Sequence, residues 1–247
     1  MIRLIFAFLW AALAMLFSVP LHLYWKHVAK KDPPKAWRKS RGYISVFFRG
    51  VTFCAGTKVE IRGKENLPPA DKAALFVGNH RSYFDTIILQ PIVKGPLGFV
   101  AKKEFESYPL LPMYMKDMGS IFLDRDNLRA SLKTIADGTE RMEKGLSLGL
   151  FPEGTRNHGE ELLPFKAGGY RMAEKSGSPI ILMALTNFGK IFEENKFHFL
   201  RRRHVIIEFD KPVYPSEMDK DARKAFYDNI PVRIQEMLDE HKKSLQK

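Results

Sequence analysis

The chain has 247 residues, of which 45% are hydrophobic, and its formal net charge is +12 at pH 7. This length allows one large domain or two small ones, with a sizeable core. The single cysteine, Cys54, excludes an intramolecular disulfide and a cysteine-cluster metal site, and we expect a buried, inert thiol. The basic charge predicts a polyanionic partner, which is nucleic acid, an anionic membrane surface or a phosphorylated substrate.

The first predicted element is the apolar segment 4–24, which contains no Asp, Glu, Lys or Arg. As an α-helix it would be roughly 30 Å long, about the thickness of the hydrocarbon core of a bilayer. Pro20 interrupts the segment, so the uninterrupted helix up to Val19 would be about 24 Å long. A spanning helix and a helix that dips into one leaflet both remain open. A cleaved signal peptide is disfavoured because no small-x-small cleavage site follows.

A cationic stretch with tryptophans comes next, and this combination suits the headgroup region of a membrane. A second apolar and aromatic stretch, 43–53, predicts an amphipathic helix at the interface, after a break at Pro33-Pro34. Residues 1–55 are therefore expected to form a membrane-anchoring helix pair ahead of a domain spanning 56–247. The alternative is that the second helix is a core helix of that domain. The cationic and tryptophan residues are Trp25, Lys26, Lys30, Lys31, Lys35, Trp37, Arg38, Lys39 and Arg41.

Beyond residue 56, apolar strand patterns alternate with helical ones. This alternation predicts an α/β fold with a central mixed, largely parallel sheet flanked by helices. The predicted strands are 58–62 at an edge, 73–77, 98–101, 121–123, 146–151, 180–185 and 205–209. The predicted helices are 86–93, bounded by Pro91, then 105–118, 128–142, 165–174 and the tail from 216, broken at Pro231.

Candidate site residues, most of them charged or polar, follow three of these strands. In open α/β sheets ligands lie beyond the carboxyl ends of strands, so we expect a base, an acid and arginines to share one cleft. A surface ion pair for Arg125 and a plain turn at 153–156 are the alternatives for the separate features, and their coincidence favours a site. The residues are His80, Asp85, Asp124, Arg125, Glu153, Gly154, Thr155 and Arg156.

His80 and Asp85 have the spacing of a general base and its orienting group. A carboxylate five residues after a histidine can fold back across a helix start and hold one ring nitrogen. The other nitrogen then stays free to accept a proton from a hydroxyl. The alternative for this pair alone is a surface histidine beside an N-capping aspartate.

Taken together, these segments resemble the ordered blocks of the glycerolipid acyltransferase family, and most closely its lysophosphatidic acid acyltransferases. The resemblance covers roughly residues 56–210. Lys166 and Gly168 also match, whereas the fourth block keeps Pro179 but has Leu182 where a second proline is usual. The three matching blocks are Asn79-His80-x4-Asp85, Gly119-x-Ile121-Phe122-x-Asp124-Arg125 and Phe151-Pro152-Glu153-Gly154-Thr155-Arg156.

The resemblance implies acyl transfer from acyl-CoA or acyl-carrier protein to the 2-hydroxyl of lysophosphatidic acid, without an acyl-enzyme. His80 would be the base and Asp85 its orienting group, while Glu153 would hold an arginine or a glycerol hydroxyl. No metal or cofactor is expected. The candidate substrate-binding residues are Arg125, Arg156, Gly154, Thr155, Lys102, Lys103 and Lys166. The candidates for a cavity that takes the acyl chain are Leu110, Met113, Met115 and Met118.

Several alternatives stay open on the sequence. A related acyltransferase could use glycerol 3-phosphate or another lysolipid, and a membrane-binding lipid-carrier module is the non-enzymatic alternative. A nucleic-acid partner is not expected, since no recognition motif is present. Phospholipid headgroups and substrate phosphates account for the basic charge. We expect the catalytic domain on the cytoplasmic side of the cell membrane, with monotopic anchoring favoured over a single span.

Overall fold

The computed structural model describes residues 2–108, 110–124, 128–159 and 161–245. Helices and strands alternate along most of the chain, as expected. The helices are α1 Ile2–Ala29, α2 Pro33–Ala55, α3 Phe84–Ile92, α4 Leu111–Asp117, α5 Leu128–Glu143, α6 Arg171–Ser176 and α7 Lys220–Leu245. The strands are β1 Lys58–Arg62, β2 Leu75–Gly78, β3 Leu97–Lys102, β4 Ile121–Leu123, β5 Ser147–Leu150, β6 Ile180–Thr186 and β7 His204–Phe209.

The strands form one seven-stranded sheet in the order β1-β7-β6-β2-β5-β3-β4. All neighbouring pairs are parallel except β6 and β7. Val77 of β2 lies opposite Leu150 of β5 and Leu182 of β6, so these strands end at the same edge. The predicted mixed, largely parallel α/β fold is confirmed, and the edge position predicted for β1 is also confirmed.

Alternate side chains of each strand supply two apolar layers, as the period of two requires. Phe76 packs on the side of α3, with Leu89, whereas Leu75 and Val77 belong to the other layer. That second layer is closed by α5, α6 and α7, with Ile234 of α7 completely buried. The sheet is therefore covered on both faces, and its carboxyl edge remains free for a site.

The helix pair breaks where the two prolines predict it. Asp32 caps α2 by accepting the Lys35 N–H at 3.0 Å, and proline is favoured in a first turn, where no intrahelical donor is required. α2 also packs on α3, and the Ser45 hydroxyl donates to Gln90 at 3.3 Å. The second helix thus belongs partly to the packed domain.

Two predicted proline breaks are wrong, since Pro20 and Pro231 lie well inside helices, whereas α3 ends at Ile92, one residue after Pro91, as predicted. A proline removes one helical hydrogen bond, but tertiary packing of the adjacent turns can offset that loss. In α7, the buried Ile230 and Ile234 flank the proline and pack on the sheet. The expectation of a fully buried Cys54 is also wrong, because this thiol is only partly buried.

Candidate active site

His80 follows β2 and Asp85 lies in the first turn of α3. The distance from His80 Nδ1 to Asp85 Oδ2 is 2.7 Å, and the aspartate is fully buried. The same oxygen accepts the backbone N–H groups of Arg81 at 2.7 Å and Ser82 at 2.9 Å. Because a carboxylate only accepts, Nδ1 carries the proton in this contact and Nε2 is left as an acceptor. The predicted pairing is therefore formed.

The other contacts of the His80 ring are aromatic. Its ring stacks on Phe151 with a centroid distance of 4.3 Å and an interplanar angle of 13°. Phe151 in turn is parallel to Phe99 of β3, at 6.4 Å. This stack, together with the bond to Asp85, fixes the plane of the imidazole. The His80 side chain remains 21% exposed, enough for a ligand to reach it.

Glu153 joins the loop after β5 to the loop that carries His80. Its Oε1 accepts the His80 backbone N–H at 2.8 Å, and its Oε2 accepts Asn157 Nδ2 at 2.9 Å and the Leu163 N–H at 3.0 Å. The Asn157 N–H also donates to the His80 carbonyl at 2.8 Å. These donors occupy both oxygens of a buried carboxylate, whereas the resemblance implied that Glu153 holds an arginine or a glycerol hydroxyl. Glu153 therefore holds two loops together.

Arg156 lies over the ring of Tyr83, with 3.8 Å between the guanidinium carbon and the ring centroid. Its Nη1 is 3.4 Å from Glu193 Oε1, and the arginine side chain is 30% exposed. Glu193 is nearly buried and also accepts the Ser82 hydroxyl at 2.6 Å and the Tyr83 N–H at 2.8 Å. Glu193 was not predicted from the sequence, because nothing in its local sequence marks it as a partner of the loop that carries His80.

His80 and Arg156 open into one cavity of about 520 Å³ at the carboxyl edge of the sheet. One part of its wall is polar, and the rest is apolar, with aromatic, aliphatic and methionine side chains. Gly154 has a φ of +77°, which favours glycine at this close turn. The lining residues are Phe48, His80, Tyr83, Thr86, Ile87, Phe99, Val100, Ala101, Lys102, Glu104, Phe105, Tyr108, Leu111, Met115, Met118, Phe151, Gly154, Thr155 and Arg156.

Only some of the lysines predicted to bind the substrate line this cavity. Lys102 lines the cavity, whereas Lys103 pairs with Asp124 at 2.9 Å. Lys166 is exposed and does not line the cavity. Arg125 lies outside the described residues. Of the cavity-lining candidates in 105–118, Met115 and Met118 line this cavity, whereas Leu110 and Met113 do not.

A second, apolar cavity of about 580 Å³ lies among α1, α2 and α4. It shares Phe48, Leu111 and Met118 with the first cavity, so the two adjoin. Its remaining lining residues are Trp10, Leu13, Ala14, Met15, Phe17, Ser18, Leu21, Tyr43, Ile44, Val46, Phe47 and Tyr114. The histidine cavity is thus adjoined by an apolar space beneath the helix pair.

Comparison with known proteins gives one family. The family described as Acyltransferase matches residues 58–186. A chloroplastic 1-acyl-sn-glycerol-3-phosphate acyltransferase of Brassica napus is 31% identical, over 74% of this chain and 53% of its own length. A Salmonella typhimurium protein named 1-acyl-sn-glycerol-3-phosphate acyltransferase is 34% identical, over 67% of this chain and 66% of its own.

The chain spans about half the length of the chloroplastic relatives that it matches. The crystal structure of the 1-acyl-sn-glycerophosphate (LPA) acyltransferase PlsC from Thermotoga maritima has the same fold, with a TM-score of 0.71. It is 22% identical in sequence, and the match covers 97% of this chain and 98% of that one. The matched family region contains the His80, Asp85 and Glu153 blocks, and this chain belongs to the acyltransferase family.

Proposed function

We propose that the chain is a 1-acylglycerol-3-phosphate O-acyltransferase. It transfers a fatty acyl group from acyl-CoA or acyl-carrier protein to the sn-2 hydroxyl of lysophosphatidic acid, and the product is phosphatidic acid. The observation that carries this proposal is the 2.7 Å contact between His80 Nδ1 and the buried Asp85, in a cavity that also contains Arg156. The names of the relatives agree with this substrate.

In the proposed mechanism, His80 Nε2 accepts the proton of the acceptor hydroxyl. The hydroxyl oxygen attacks the thioester carbonyl, the C–S bond breaks, and the thiolate leaves with the proton from the imidazolium. Asp85 keeps the proton on Nδ1 and stabilises the imidazolium as it forms. General base catalysis of this kind contributes about 10²- to 10⁴-fold in rate. Attack on the thioester is direct, so no acyl-enzyme is formed.

Arg156 is the proposed ligand of the acceptor phosphate. A guanidinium fork matches two phosphate oxygens, and stacking on Tyr83 holds the plane of that fork. The contact to Glu193, at 3.4 Å, is long and leaves donors available. Lys102 and Thr155 line the same cavity and are proposed to assist. Arg125 remains a candidate from the sequence.

Membrane attachment is proposed to be monotopic, on the cytoplasmic face of the cell membrane. Among the described residues, α1 alone is long and apolar enough to cross a membrane, by length and composition. The side of α1 contacts α4 and α2. His22 Nδ1 lies 2.6 Å from Asp117 of α4, and Trp10 donates to the Phe47 carbonyl of α2 at 2.9 Å. If α1 spanned the membrane, its contacts would place α2 and Asp117 of α4 near the hydrocarbon core. Burial of the Asp117 carboxylate there would be energetically unfavourable.

A thiol-release assay on the full-length chain in detergent tests the activity. Acyl-CoA and acyl-carrier protein serve in turn as donors, with lysophosphatidic acid, glycerol 3-phosphate and monoacylglycerol as acceptors. We expect release that depends on lysophosphatidic acid, with acylation at position 2. Thiol release with glycerol 3-phosphate alone would show that the acceptor is glycerol 3-phosphate and not lysophosphatidic acid. No release with any pair would favour the lipid-carrier alternative.

A further inference from the structure

A third cavity, of about 660 Å³, lies at the open end of the helix pair, where α1 begins and α2 ends. It has no lining residue in common with the two cavities described above. Its wall combines cationic and apolar side chains from three separate parts of the chain. The lining residues are Arg3, Phe6, Phe53, Cys54, Gly56, Thr57, Lys58 and Arg202.

The cations of this cavity are Arg3, Lys58 and Arg202, and its lining contains no acidic residue. Within the described ranges, no ion pair joins any of the three to a carboxylate. All three side chains are exposed. Three like charges repel one another, so their convergence without a counter-charge favours an anionic ligand.

Of the three cations, only Arg3 has a position that a structural role explains, which is to stabilise the end of α2. Its guanidinium lies directly over Gly56, so that a Cβ built on this glycine would be 2.2 Å from Nη1. Gly56 ends α2, and a cation is favourable at the carboxyl end of a helix. Lys58 and Arg202 are not at this helix end, and they are brought together by the 2.9 Å bond from the Lys58 N–H to the Arg203 carbonyl.

The apolar part of the wall is unusually exposed. Phe53 is 85% exposed and Phe6 is 59% exposed. The exposed apolar face of α1 continues from Phe6 through Leu9, Leu13, Leu16 and Phe17. Exposed apolar surface of this kind indicates an interaction site. The cations therefore lie at the edge of the face that we propose to enter the membrane.

We propose that this cavity binds the phosphate group of an anionic bilayer phospholipid, whose acyl chain lies against Phe6 and Phe53. This inference rests on the membrane association in the proposed function. The Thr57 hydroxyl lines the same cavity and its oxygen is buried without a hydrogen-bond partner among the described residues. Lipid binding here attaches the helix pair at the end opposite to the cations of 26–41, and so holds α1 parallel to the membrane surface.

The test is flotation of the full-length chain with vesicles of phosphatidylcholine alone and of phosphatidylcholine with phosphatidylglycerol. The test variant combines the three substitutions Arg3→Gln, Lys58→Gln and Arg202→Gln. The matched control is Lys133→Gln, Lys175→Gln, Lys224→Gln, which removes three exposed charges from α5, α6 and α7 on the other face of the sheet. Each cation near an anionic surface contributes about fivefold in partition, so three contribute up to about 100-fold.

We expect the test variant to lose about 10- to 100-fold in partition onto phosphatidylglycerol vesicles and to keep its partition onto phosphatidylcholine alone. The control variant should lose less than about threefold, because its charges lie farther from the surface. Equal losses in the two variants would overturn the site and indicate diffuse attraction. Reversal of binding by inorganic phosphate at matched ionic strength would also overturn it, in favour of a free-anion site. A wild-type chain that binds neither vesicle would instead overturn the membrane association itself.

Discussion

Glu153 accepts the backbone N–H of His80 at 2.8 Å, so the carboxylate of one sequence block fixes the backbone of another. The second oxygen of Glu153 binds the loop after β5 through Asn157 and Leu163. A glutamate beside a proposed phosphate site would repel the substrate if it were free. Its saturation by donors of the chain explains how this charge is accommodated, and makes Glu153 a positioning residue.

We expect Glu153→Gln to destabilise the protein by about 1–3 kcal/mol. Both oxygens of Glu153 accept N–H groups, and the NH2 group of glutamine would replace one of these acceptors by a donor. A chain of this size should then lose about 2–4 °C in Tm for each kcal/mol. The kcat should fall because the backbone of His80 is released. Thermal melts and initial rates check both. A raised KM for the acceptor with an unchanged Tm would instead support a direct role in substrate binding.

The base assignment predicts that His80→Ala lowers kcat by about 10²- to 10⁴-fold. The variant should retain its Tm within a few degrees and still float with vesicles, since the His80 side chain is partly exposed and belongs to neither α1 nor α2. Asp85→Asn should lower kcat too, because an amide can present a donor to Nδ1 and so disfavour the required tautomer. Near-normal turnover of His80→Ala would remove the histidine from the chemistry.

The phosphate assignment predicts that Arg156→Ala raises the KM for lysophosphatidic acid by about 10- to 100-fold, since hydrogen bonds to charged groups contribute about 1.5–3 kcal/mol. The rate with monoacylglycerol, which lacks the phosphate, should change little. Arg171, exposed on α6, provides the control substitution Arg171→Ala. Equal effects of Arg156→Ala on both acceptors would place the phosphate elsewhere.

Deletion of 1–55 is a poor test of anchoring, because Ala55 is in the core and Arg41 donates to the carbonyls of Val93 and Gly95. Substitution of the outer face of α1 is cleaner. We expect Leu9→Ser, Leu16→Ser and Phe17→Ser, at residues that are 51%, 66% and 76% exposed, each to weaken vesicle binding by at least about tenfold.

The same substitutions should leave Tm unchanged, because these side chains pack little against the domain. Leu132→Ser, at an equally exposed position on α5, is the matched control and should not affect flotation. Vesicle binding that survives all three substitutions in α1 would show that the attachment surface lies in another part of the protein.

The buried His241 is expected to make the folding stability of the protein depend on pH. It is fully buried, with Nε2 at 2.6 Å from Glu208 and Nδ1 at 2.8 Å from the Thr186 hydroxyl. Burial lowers the pKa of His241 below its usual 6.5, and the hydrogen bond to Glu208 opposes this only in part. Arg62 also lowers the pKa, whereas Glu60 raises it.

A lowered pKa means that the unfolded chain binds this proton more readily than the folded one. The stability that the neutral imidazole contributes is therefore present above about pH 6.5 and is lost as the pH falls towards the lowered pKa. Melts of the wild type and of His241→Gln between pH 8 and pH 5, roughly the range of histidine titration, should diverge in slope, with the wild type steeper. Parallel curves would contradict the assignment.

Much of this protein is encoded locally. The strands were predictable because runs such as 73–77 and 180–185 are apolar and bounded by turn residues. The pairing of His80 with Asp85 was predictable because the two residues are five apart, across a loop and a helix start. The proline boundaries failed because local propensity says nothing about the packing that retains a helix across Pro20 or Pro231.

The sequence by itself determined the fold class, the order of the strands along the chain and several of the residues, such as His80 and Arg156, that gather at the carboxyl edge of the sheet. Only the tertiary structure decided which of these residues face the cavity and which have other partners. Glu153 accepts two backbone N–H groups and the Asn157 amide, Lys103 pairs with Asp124, and Arg156 stacks on Tyr83 beside Glu193. The reason is physical: hydrogen bonds and ring contacts act over a few ångströms, and residues distant in sequence become neighbours only when the sheet and its loops are assembled.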